Sequence, residues 1–415
     1  MSDSVDASKP GAGLNLFHVK VFALLALALL ADSYDLQATS FAAPVLAKVW
    51  HVKPSAFAPL FGAGLAGAFF GSALFGWLGD RIGRKRAIIG ACLVYGGFSL
   101  VSTLARDPTQ FAILRFLMGL GCGGALPNAV ALGTELAPAN RRGALTALIF
   151  VAMPIGGAAP GFVRSLLVPD FGWPIIFIIG GVAPIVFGAL IALALPESPQ
   201  FLARHKAVPD KSLSVPTFGR LLTREFIAPT LLLWIMFTAA LLTLYLVSNW
   251  LPTILEQVHV RPSGVAIINL LYATGGGLAG IALSIVIDRV GLLAVSGFFF
   301  LGIASVVLVA FSEFSESGLA IVIFICGFAV TGVQYALNVS AGLIYPPEIR
   351  SSGVGAALGV GRIGSVIGAL SGGLIVGDAH AARDLFLLGA ASLGIGAIAS
   401  LVLVRRHDLR AGASQ

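Results

Sequence analysis

Two aspartates lie in a run of residues that is otherwise apolar enough for the centre of a bilayer. Asp32 and Asp35 occur in the stretch ALLADSYDLQATSFA, residues 28–42. Residues three apart share one face of a helix, so both carboxylates should face the same way. Charged groups at membrane depth are costly and usually functional. A carboxylate pair near an arginine can take up and release a proton, so the two acids are candidates for proton coupling.

Two charged residues of a later apolar run are candidate partners in that chemistry. At 1.5 Å per residue, Arg115 lies roughly 9 Å from the outer end of its span. Asp35 lies roughly 18 Å from the outer end of the first span. The first span is longer than the hydrocarbon requires, so the two side chains can share a level. Glu135 lies near the other end of its span. It is either a proton relay or a partner of Arg141 or Arg142, and a static salt bridge remains the alternative for Arg115 and the acids.

Arg362 is the other charged residue found deep in an apolar run. In ALGVGRIGSVIGAL it lies roughly 16 Å into its span, and its own helix has no acidic residue within ten positions. An arginine at that depth requires an anion. We expect this anion to be the carboxylate of a substrate, with a protein carboxylate as the alternative.

A pocket for a small organic anion is mostly apolar, with a few well-placed polar groups. The candidates for these groups are Asn128 in GGALPNAVAL, Tyr245 and Asn249 in YLVSNWLP, and Gln334, Tyr335 and Asn338 in GVQYALN. Hydrogen bonding between helices is the alternative role for Gln334 and Asn338. Trp250 belongs either to this pocket or to an aromatic belt at the membrane interface.

Membrane-spanning helices must position these residues, because the composition is that of a polytopic membrane protein. Of 415 residues, 57% are hydrophobic and 11% are charged, against about 25% charged in soluble domains. The apolar runs are continuous over about 20 residues, which favours helices over the alternating strands of a barrel. We therefore predict an all-α fold of twelve spans, at 17–47, 55–78, 86–106, 109–137, 143–166, 172–195, 228–254, 263–287, 291–312, 317–345, 351–376 and 382–404.

Basic residues orient these spans. Of the 26 Lys and Arg residues, eighteen fall on one side of the predicted topology and six on the other, which places both termini in the cytoplasm. The predicted organisation is two six-helix bundles joined by a cytoplasmic linker. Its segments are a tail at 1–16, a bundle at 17–195, the linker at 196–227, a bundle at 228–404 and a tail at 405–415.

The two predicted bundles repeat each other in sequence. DRIG at 80–83 matches DRVG at 288–291, and PANRRG at 138–143 matches PPEIRSSG at 346–353. Both matches are 208 to 209 residues apart. Parallel repeats of this kind occur in transporters in which two bundles rock about a central site. At this offset the charged candidates have uncharged counterparts, so the fold does not require them: Ala240 for Asp32, Thr243 for Asp35, Phe324 for Arg115, Ile344 for Glu135 and Met153 for Arg362.

The stretch GWLGDRIGRKR at 76–86 resembles the signature loop of the major facilitator superfamily. The resemblance implies a gating role at the cytoplasmic face, and the alternative is a basic loop that serves topology alone. Two further stretches resemble superfamily signatures. They are RFLMGLGCGG, whose arginine the family ties to proton coupling, and LPESPQFL, which has Gln200 where the family usually has arginine. The residues of the gating motif are Gly76, Asp80, Arg81, Gly83 and Arg84.

The first span is similar to that of the aromatic acid:proton symporters, whose pattern D-G-x-D is read here with Ser33 in place of glycine. The resemblance covers nearly the whole membrane region and is greatest to the 3-(3-hydroxyphenyl)propionate transporters. It implies a transport role for six charged residues, namely Asp32, Asp35, Asp80, Arg115, Glu135 and Arg362.

We therefore predict a proton-coupled symporter that imports aromatic carboxylates across a bacterial inner membrane by alternating access. A major facilitator antiporter that exports drugs or other organic compounds is the alternative. The protein is expected to be a monomer that binds no nucleic acid and is no enzyme. It should need no cofactor besides coupled protons and no metal, because the three cysteines fall in apolar runs without metal-ligand spacing.

Overall fold

Long helices make up nearly all of the protein in a computed structural model that describes residues 16–138, 142–206, 218–311, 315–376 and 380–413. The first half contains α1 (Leu16–Val49), α2 (Ala58–Ile82), α3 (Arg84–Ser102), α4 (Pro108–Leu136), α5 (Arg142–Phe171) and α6 (Pro174–Ala194). Two short helices follow, α7 (Pro199–Lys206) and α8 (Phe218–Leu221). The second half contains α9 (Ile227–Gln257), α10 (Pro262–Val290), α11 (Leu293–Phe311), α12 (Glu316–Ile344), α13 (Pro347–Ile375) and α14 (Ala381–Ala413).

The predicted all-α membrane fold with twelve long helices is confirmed. Within the described residues, ten of these helices are long and apolar enough to cross a membrane. The other two are α3, which begins with three basic residues, and α5. Within the predicted linker, α7 and α8 are ordered as short helices, while residues 207–217 lie outside the described part of the chain, as do 1–15 and 414–415 of the predicted tails.

The chain divides into two compact units. The first comprises Met1–His51 and Ala63–Lys211, and the second comprises Val52–Gly62 and Ser212–Gln415. The second unit thus includes the first turn of α2, where the Phe61 ring meets Trp250 edge-on with 5.0 Å between centroids. Trp250 is fully buried and its indole nitrogen donates to the Ala369 carbonyl oxygen at 2.9 Å. It is therefore a packing residue, and its expected place in an interfacial belt is wrong.

The same helix pairs form in both units. In the first unit α1 packs on α5 and α6, and α3 packs on α4 and α6. In the second unit α9 packs on α13 and α14, and α11 packs on α12 and α14. These are the corresponding helices in the order of the sequence repeat. The internal repeat is therefore one of structure as well as of sequence.

Glycines set the register of the repeat where helix backbones touch. A Cβ atom on Gly67 of α2 would lie 2.1 Å from the Phe116 carbonyl oxygen of α4. A Cβ atom on Gly275 of α10 would lie 2.3 Å from the Phe324 carbonyl oxygen of α12. Both residues of the second contact lie 208 positions after those of the first. Small residues permit this close backbone approach between helices in a membrane.

The contact of α1 with α5 repeats at the same offset. Gly156 approaches the Leu30 carbonyl oxygen, and Gly364 approaches the Thr238 carbonyl oxygen, with distances of 2.1 and 2.2 Å from an added Cβ. The offset is thus 208 in these helix pairs as well.

This register corrects three of the counterparts predicted from sequence, the first being that of Glu135, which is Leu343 rather than Ile344. At an offset of 208, the counterpart of Arg115 is Ile323 rather than Phe324. The counterpart of Arg362 is Pro154 rather than Met153. None of these positions carries a charge, so Glu135 and both arginines still lack a match in the other unit.

We expect Gly67→Ala to destabilise the protein, because the added methyl group would collide with the backbone of α4. Overpacking of this kind costs about 1–3 kcal/mol. The matched control is Gly97→Ala, since a Cβ at Gly97 meets nothing within 4 Å. Thermal unfolding of the detergent-solubilised protein measures both variants. Equal unfolding temperatures for the two variants would contradict the close contact.

Candidate functional site

Asp35 and Arg115 meet inside the first unit, on α1 and α4. The Arg115 Nη1 atom lies 4.0 Å from Asp35 Oδ1, and the side chains are 1% and 0% exposed. Asp35 is fourteen residues from the end of α1, roughly 21 Å along the helix. A buried ion pair must offset a large desolvation cost, and this requires further polar contacts. At 4.0 Å the two groups attract each other without sharing a hydrogen bond.

Helix α3 supplies those polar contacts through two serines. Ser99 Oγ donates to Asp35 Oδ1 at 2.7 Å and lies 3.2 Å from the Phe177 carbonyl oxygen. Arg115 Nη2 donates to Ser102 Oγ at 2.7 Å. The two serines are three residues apart and therefore lie on one face of α3. Neither serine was predicted from the sequence, because serine is common in membrane helices and carries no charge.

Aromatic rings cover the guanidinium of Arg115. Its Cζ atom lies 5.1 Å from the centroid of the Phe111 ring and 4.8 Å from that of the Phe177 ring. Trp50 packs edge-on against Phe111, and Trp173 packs edge-on against Phe177. Cations are attracted to ring faces. Phe111 and Phe177 therefore stabilise the charge of Arg115, and Trp50 and Trp173 pack against these two rings.

Helix α6 passes close to Asp35 at a glycine. A Cβ atom on Gly180 would lie 2.6 Å from Asp35 Oδ1. The neighbouring Tyr34 hydroxyl donates to the Ile176 carbonyl oxygen of α6 at 2.9 Å. The missing side chain at Gly180 thus leaves the space in which the carboxylate of Asp35 lies.

Asp32 is buried one helical turn before Asp35, with 3% of its surface exposed. Its neighbours include Tyr95 of α3 and Cys122 of α4. The Tyr95 hydroxyl donates to the Ala28 carbonyl oxygen at 3.2 Å, and the Cys122 thiol donates to the sulfur of Met118 at 3.2 Å. The two acids therefore lie on the same buried face of α1 but in different polar surroundings.

The corresponding place in the second unit is uncharged. Ala240, Thr243 and Ile323 stand where the first unit has Asp32, Asp35 and Arg115, and all three are fully buried. The Thr243 hydroxyl donates to the Gly389 carbonyl oxygen at 3.1 Å. The repeated scaffold is thus stable without the ion pair.

Glu135 lies at the other end of α4, far along the helix from Arg115. Its carboxylate accepts a hydrogen bond from the Ser198 hydroxyl, just before α7. The expected alternative partners, Arg141 and the side chain of Arg142, lie outside the described part of the chain. The acid is therefore held by the segment that follows α6.

The predicted gating motif also contacts the segment that follows α6. Gly83 has a φ of 106°, and a Cβ there would lie 2.3 Å from Glu197 Oε2. Glu197 Oε1 accepts from the backbone nitrogens of Lys85 and Ser198, both at 2.9 Å. A carboxylate at a helix N-terminus offsets the unpaired amides and dipole of the helix. Glu197 thereby fastens the first turn of α3.

The other motif residues lie near the surface of this turn. Asp80 forms an ion pair with Arg84, and the Arg81 guanidinium lies 4.3 Å from the centroid of the Trp77 ring. A Cβ at Gly76 would meet nothing within 4 Å. The motif thus consists of a structured turn with one internal ion pair.

Arg362 lies half-buried on α13 of the second unit. Among the described residues its guanidinium forms no ion pair, and only its backbone carbonyl is bonded, by Ser365 Oγ at 2.6 Å. Helix α13 packs on α9 and also contacts α12. These three helices carry every predicted substrate contact except Asn128.

The polar candidates on those helices differ in what they contact. The buried Gln334 Oε1 and Asn338 Oδ1 atoms accept no hydrogen bond from the described residues. Tyr245 and Tyr335 are half-buried, and Asn249 is 4% exposed. A buried acceptor that has no hydrogen-bond donor costs free energy. The two amides of α12 can therefore accept hydrogen bonds from a ligand.

Asn128 lies in the first unit, and its amide group is used within that unit. Its Nδ2 atom donates to the Phe75 carbonyl oxygen of α2 at 3.0 Å and to that of Gly124 at 2.9 Å. These contacts join α2 to α4. Asn128 thus has a packing role that the sequence did not indicate.

Two donors of the second unit were missed. The Trp234 indole nitrogen on α9 and the Tyr272 hydroxyl on α10 are buried without a hydrogen-bond acceptor in the described part of the chain. Aromatic side chains with a polar end usually find a partner when buried. The sequence pattern that could have identified them is a Trp or Tyr residue inside an apolar run.

Two repeated six-helix units with an acid–arginine pair deep in one of them define a polytopic membrane transporter. The chain belongs to the Major Facilitator Superfamily, whose family model matches residues 25–261 and 233–414. The prediction of this superfamily is confirmed, and with it the prediction that the chain is not an enzyme.

Curated relatives match most of the chain. It is 33% identical to the 4-hydroxybenzoate transporter PcaK of Pseudomonas putida, covering 88% of this chain and 87% of the relative. It is 31% identical to the 3-(3-hydroxy-phenyl)propionate transporter of Escherichia coli, covering 91% and 92%. It is 30% identical to the gallate transporter of Pseudomonas putida, covering 92% and 90%. The predicted resemblance to aromatic acid transporters is thereby confirmed.

Solved structures show the same fold. A D-xylose–proton symporter matches with a TM-score of 0.72 and 17% identity, over 93% of this chain and 97% of that chain. A bacterial homologue of the human lysosomal transporter Spinster, in an inward-facing and unoccupied conformation, matches with a TM-score of 0.73 and 17% identity, over 95% and 99%.

We expect Gly180→Ala to impair transport, because the methyl group would displace the Asp35 carboxylate. A cost of about 1–3 kcal/mol corresponds to a loss of uptake of about fivefold to more than a hundredfold. The matched control is Gly389→Ala, one residue after the counterpart of Gly180 in the second unit, where a Cβ would lie 3.1 Å from the methyl group of Thr243. Initial uptake rates, normalised to the amount of folded protein, compare the two. Equal losses in both variants would show that the carboxylate is not constrained at Gly180.

Proposed function

We propose that the protein is a proton-coupled symporter that imports small aromatic carboxylates by alternating access. The buried pair of Asp35 and Arg115 carries this proposal. An acid beside a permanently charged arginine can be neutralised by one proton, which breaks the ion pair at membrane depth. The neutral counterparts in the second unit support a role in transport, because the scaffold does not need the charges.

Asp35 is the proposed coupling site, with Asp32 one helical turn away as its partner. Arg115 is enclosed by Phe111, Phe177 and Ser102. This enclosure supports a role in proton coupling and argues against a contact with the substrate. Glu135 is the proposed relay at the other end of α4, where Ser198 holds its carboxylate.

Arg362 is the proposed ligand for the substrate carboxylate. Its half-buried guanidinium has no ion pair among the described residues, so its charge is free to attract an anion. Gln334 and Asn338 offer acceptors for a ring hydroxyl, and aromatic side chains offer faces for the ring. The relatives named for 4-hydroxybenzoate, gallate and 3-(3-hydroxyphenyl)propionate support a ligand with both a carboxylate and a hydroxylated ring.

The other parts of the proposal follow from the sequence and the relatives. The protein works as a monomer in the inner membrane of a bacterium, with both termini in the cytoplasm, and needs no cofactor. Asp80 and the rest of the gating motif control opening at the cytoplasmic face. A drug-exporting antiporter of the same fold is the second candidate, and it would carry cations and have no use for Arg362.

Uptake into proteoliposomes distinguishes the two candidates. We expect radiolabelled 4-hydroxybenzoate to accumulate when the exterior is acidified, and the uncoupler-treated vesicles to show no accumulation. Asp35→Asn should abolish accumulation, because an amide binds no additional proton. It should retain exchange of labelled for unlabelled substrate, because exchange moves no net proton.

The matched control is Asp170→Asn, which changes an exposed acid near the end of α5. It should accumulate substrate as the wild type does. Accumulation by Asp35→Asn at the wild-type level would refute the coupling role of Asp35. Transport of organic cations alone would refute the importer of aromatic acids.

We expect Arg362→Lys to raise the apparent KM for 4-hydroxybenzoate. Lysine keeps the charge but lacks the planar fork that binds a carboxylate through two hydrogen bonds. A loss of about 1.4–3 kcal/mol corresponds to a KM about 10 to 100 times higher. Arg405→Lys, at an exposed position of α14, is the matched control. An unchanged KM in Arg362→Lys would exclude Arg362 from the binding site.

A further inference from the structure

The ion pair of the first unit is held apart by α3. Asp35 Oδ1 and Arg115 Nη1 are 4.0 Å apart, yet each partner forms a 2.7 Å hydrogen bond to a different serine. Ser99 donates to the acid, while Ser102 accepts from the arginine. Ser102 in turn donates its own proton to the Phe98 carbonyl oxygen at 2.7 Å, so its oxygen is fixed as an acceptor. The polarity of the two hydroxyls thus matches the charges that they contact.

We propose that Ser99 and Ser102 are positioning residues of proton coupling, which set the proton affinity of Asp35 by competing with the direct contact between Asp35 and Arg115. This deepens the proposed function and rests on it. The step is the addition of one proton to the Asp35 carboxylate, which gives a neutral carboxyl group. The proton comes from hydronium of the acidified aqueous side, whose O–H bond breaks, and no other covalent bond is formed or broken.

The two serines act on this step in opposite directions. A hydroxyl that donates to a carboxylate stabilises its charged form. Ser99 therefore favours release of the proton from Asp35. Ser102 draws the guanidinium towards α3 and away from the acid, so it weakens the stabilisation that Arg115 gives to the carboxylate. The balance between the two hydroxyls leaves the acid able to bind and release a proton within one transport cycle.

The other groups around Asp35 complete the electrostatic surroundings. Asp32 and Tyr34 lie on α1 itself, and Arg115 and Cys122 face the acid from α4. Helix α6 contributes no titratable side chain between Pro174 and Ala194. Helix α5, which also packs on α1, carries the buried Arg164 and the exposed Asp170. Arg115 is the cation paired with Asp35 among the described residues, so changes at α3 act mainly through these two side chains.

The test compares the pH dependence of uptake in Ser99→Ala and Ser102→Ala. In Ser99→Ala the carboxylate loses a donor and holds its proton to higher pH, so the alkaline limb of 4-hydroxybenzoate uptake should move up by about one pH unit. In Ser102→Ala the arginine is released towards Asp35, so the same limb should move down by a similar amount. A purely structural role would lower the rate in both variants and shift neither limb.

Two further variants serve as controls. Ser99→Thr keeps the hydroxyl and should restore the wild-type limb, which keeps the test informative if Ser99→Ala folds poorly. Ser305→Ala removes a buried serine of α11 in the second unit, whose hydroxyl donates to the Gly302 carbonyl oxygen of its own helix, and it should leave the pH profile unchanged.

The outcomes separate this inference from the proposed function. If both serine-to-alanine variants follow the wild-type pH profile while Asp35→Asn fails to accumulate substrate, the positioning role is refuted and the coupling role of Asp35 stands. If Asp35→Asn accumulates substrate as the wild type does, the proposed function itself fails. Shifts of the same sign in Ser99→Ala and Ser102→Ala would also refute the competition between the two hydroxyls.

Discussion

Close approach of helix backbones is the constraint on which this structure depends. Helices in a bilayer gain little from burying apolar surface against each other, so packing contacts must hold them together. At Gly67 and Gly275 the backbone of one helix lies against a carbonyl oxygen of a neighbouring helix. A glycine also permits close contact at the ion pair, where Gly180 of α6 lies against the Asp35 carboxylate. Fold and site therefore rest on one kind of contact.

Charge is distributed unequally over this symmetric scaffold. The first unit buries Asp32, Asp35 and Arg115, while the second buries neutral residues in the same register. The second unit carries Arg362 instead, together with amide oxygens that have no donor among the described residues. Under the proposed function, one unit holds the proton and the other contributes the guanidinium that attracts the substrate. The two units thus share one helix arrangement but have different proposed roles, proton binding in the first and substrate binding in the second.

Much of the fold was predictable from the sequence, because membrane helices are long apolar runs and the duplication leaves matching motifs such as DRIG and DRVG. The pair of Asp35 and Arg115 was also predictable, since charges in such runs are rare. Ser99, Ser102 and Gly180 were not. Helical periodicity reports which residues share a face but not which neighbour that face meets. The rotation of α3 and α6 about their axes is set by packing, so uncharged residues that face the ion pair give no signal of their own.

Contacts between segments that are far apart in the chain were also not predictable from the sequence. Glu197 follows α6 yet fastens the first turn of α3, and Ser198 beside it holds Glu135. The sequence marked these segments as separate signatures. Only the fold shows that the loop after α2 and the segment after α6 form one structural feature.

The shared glycine register also bears on how the protein arose. The contacts between α1 and α5 and between α9 and α13 are spaced identically, although most side chains around them differ. Duplication of a six-helix unit accounts for that spacing. The two halves can then carry different charges, as long as each glycine stays against its carbonyl oxygen.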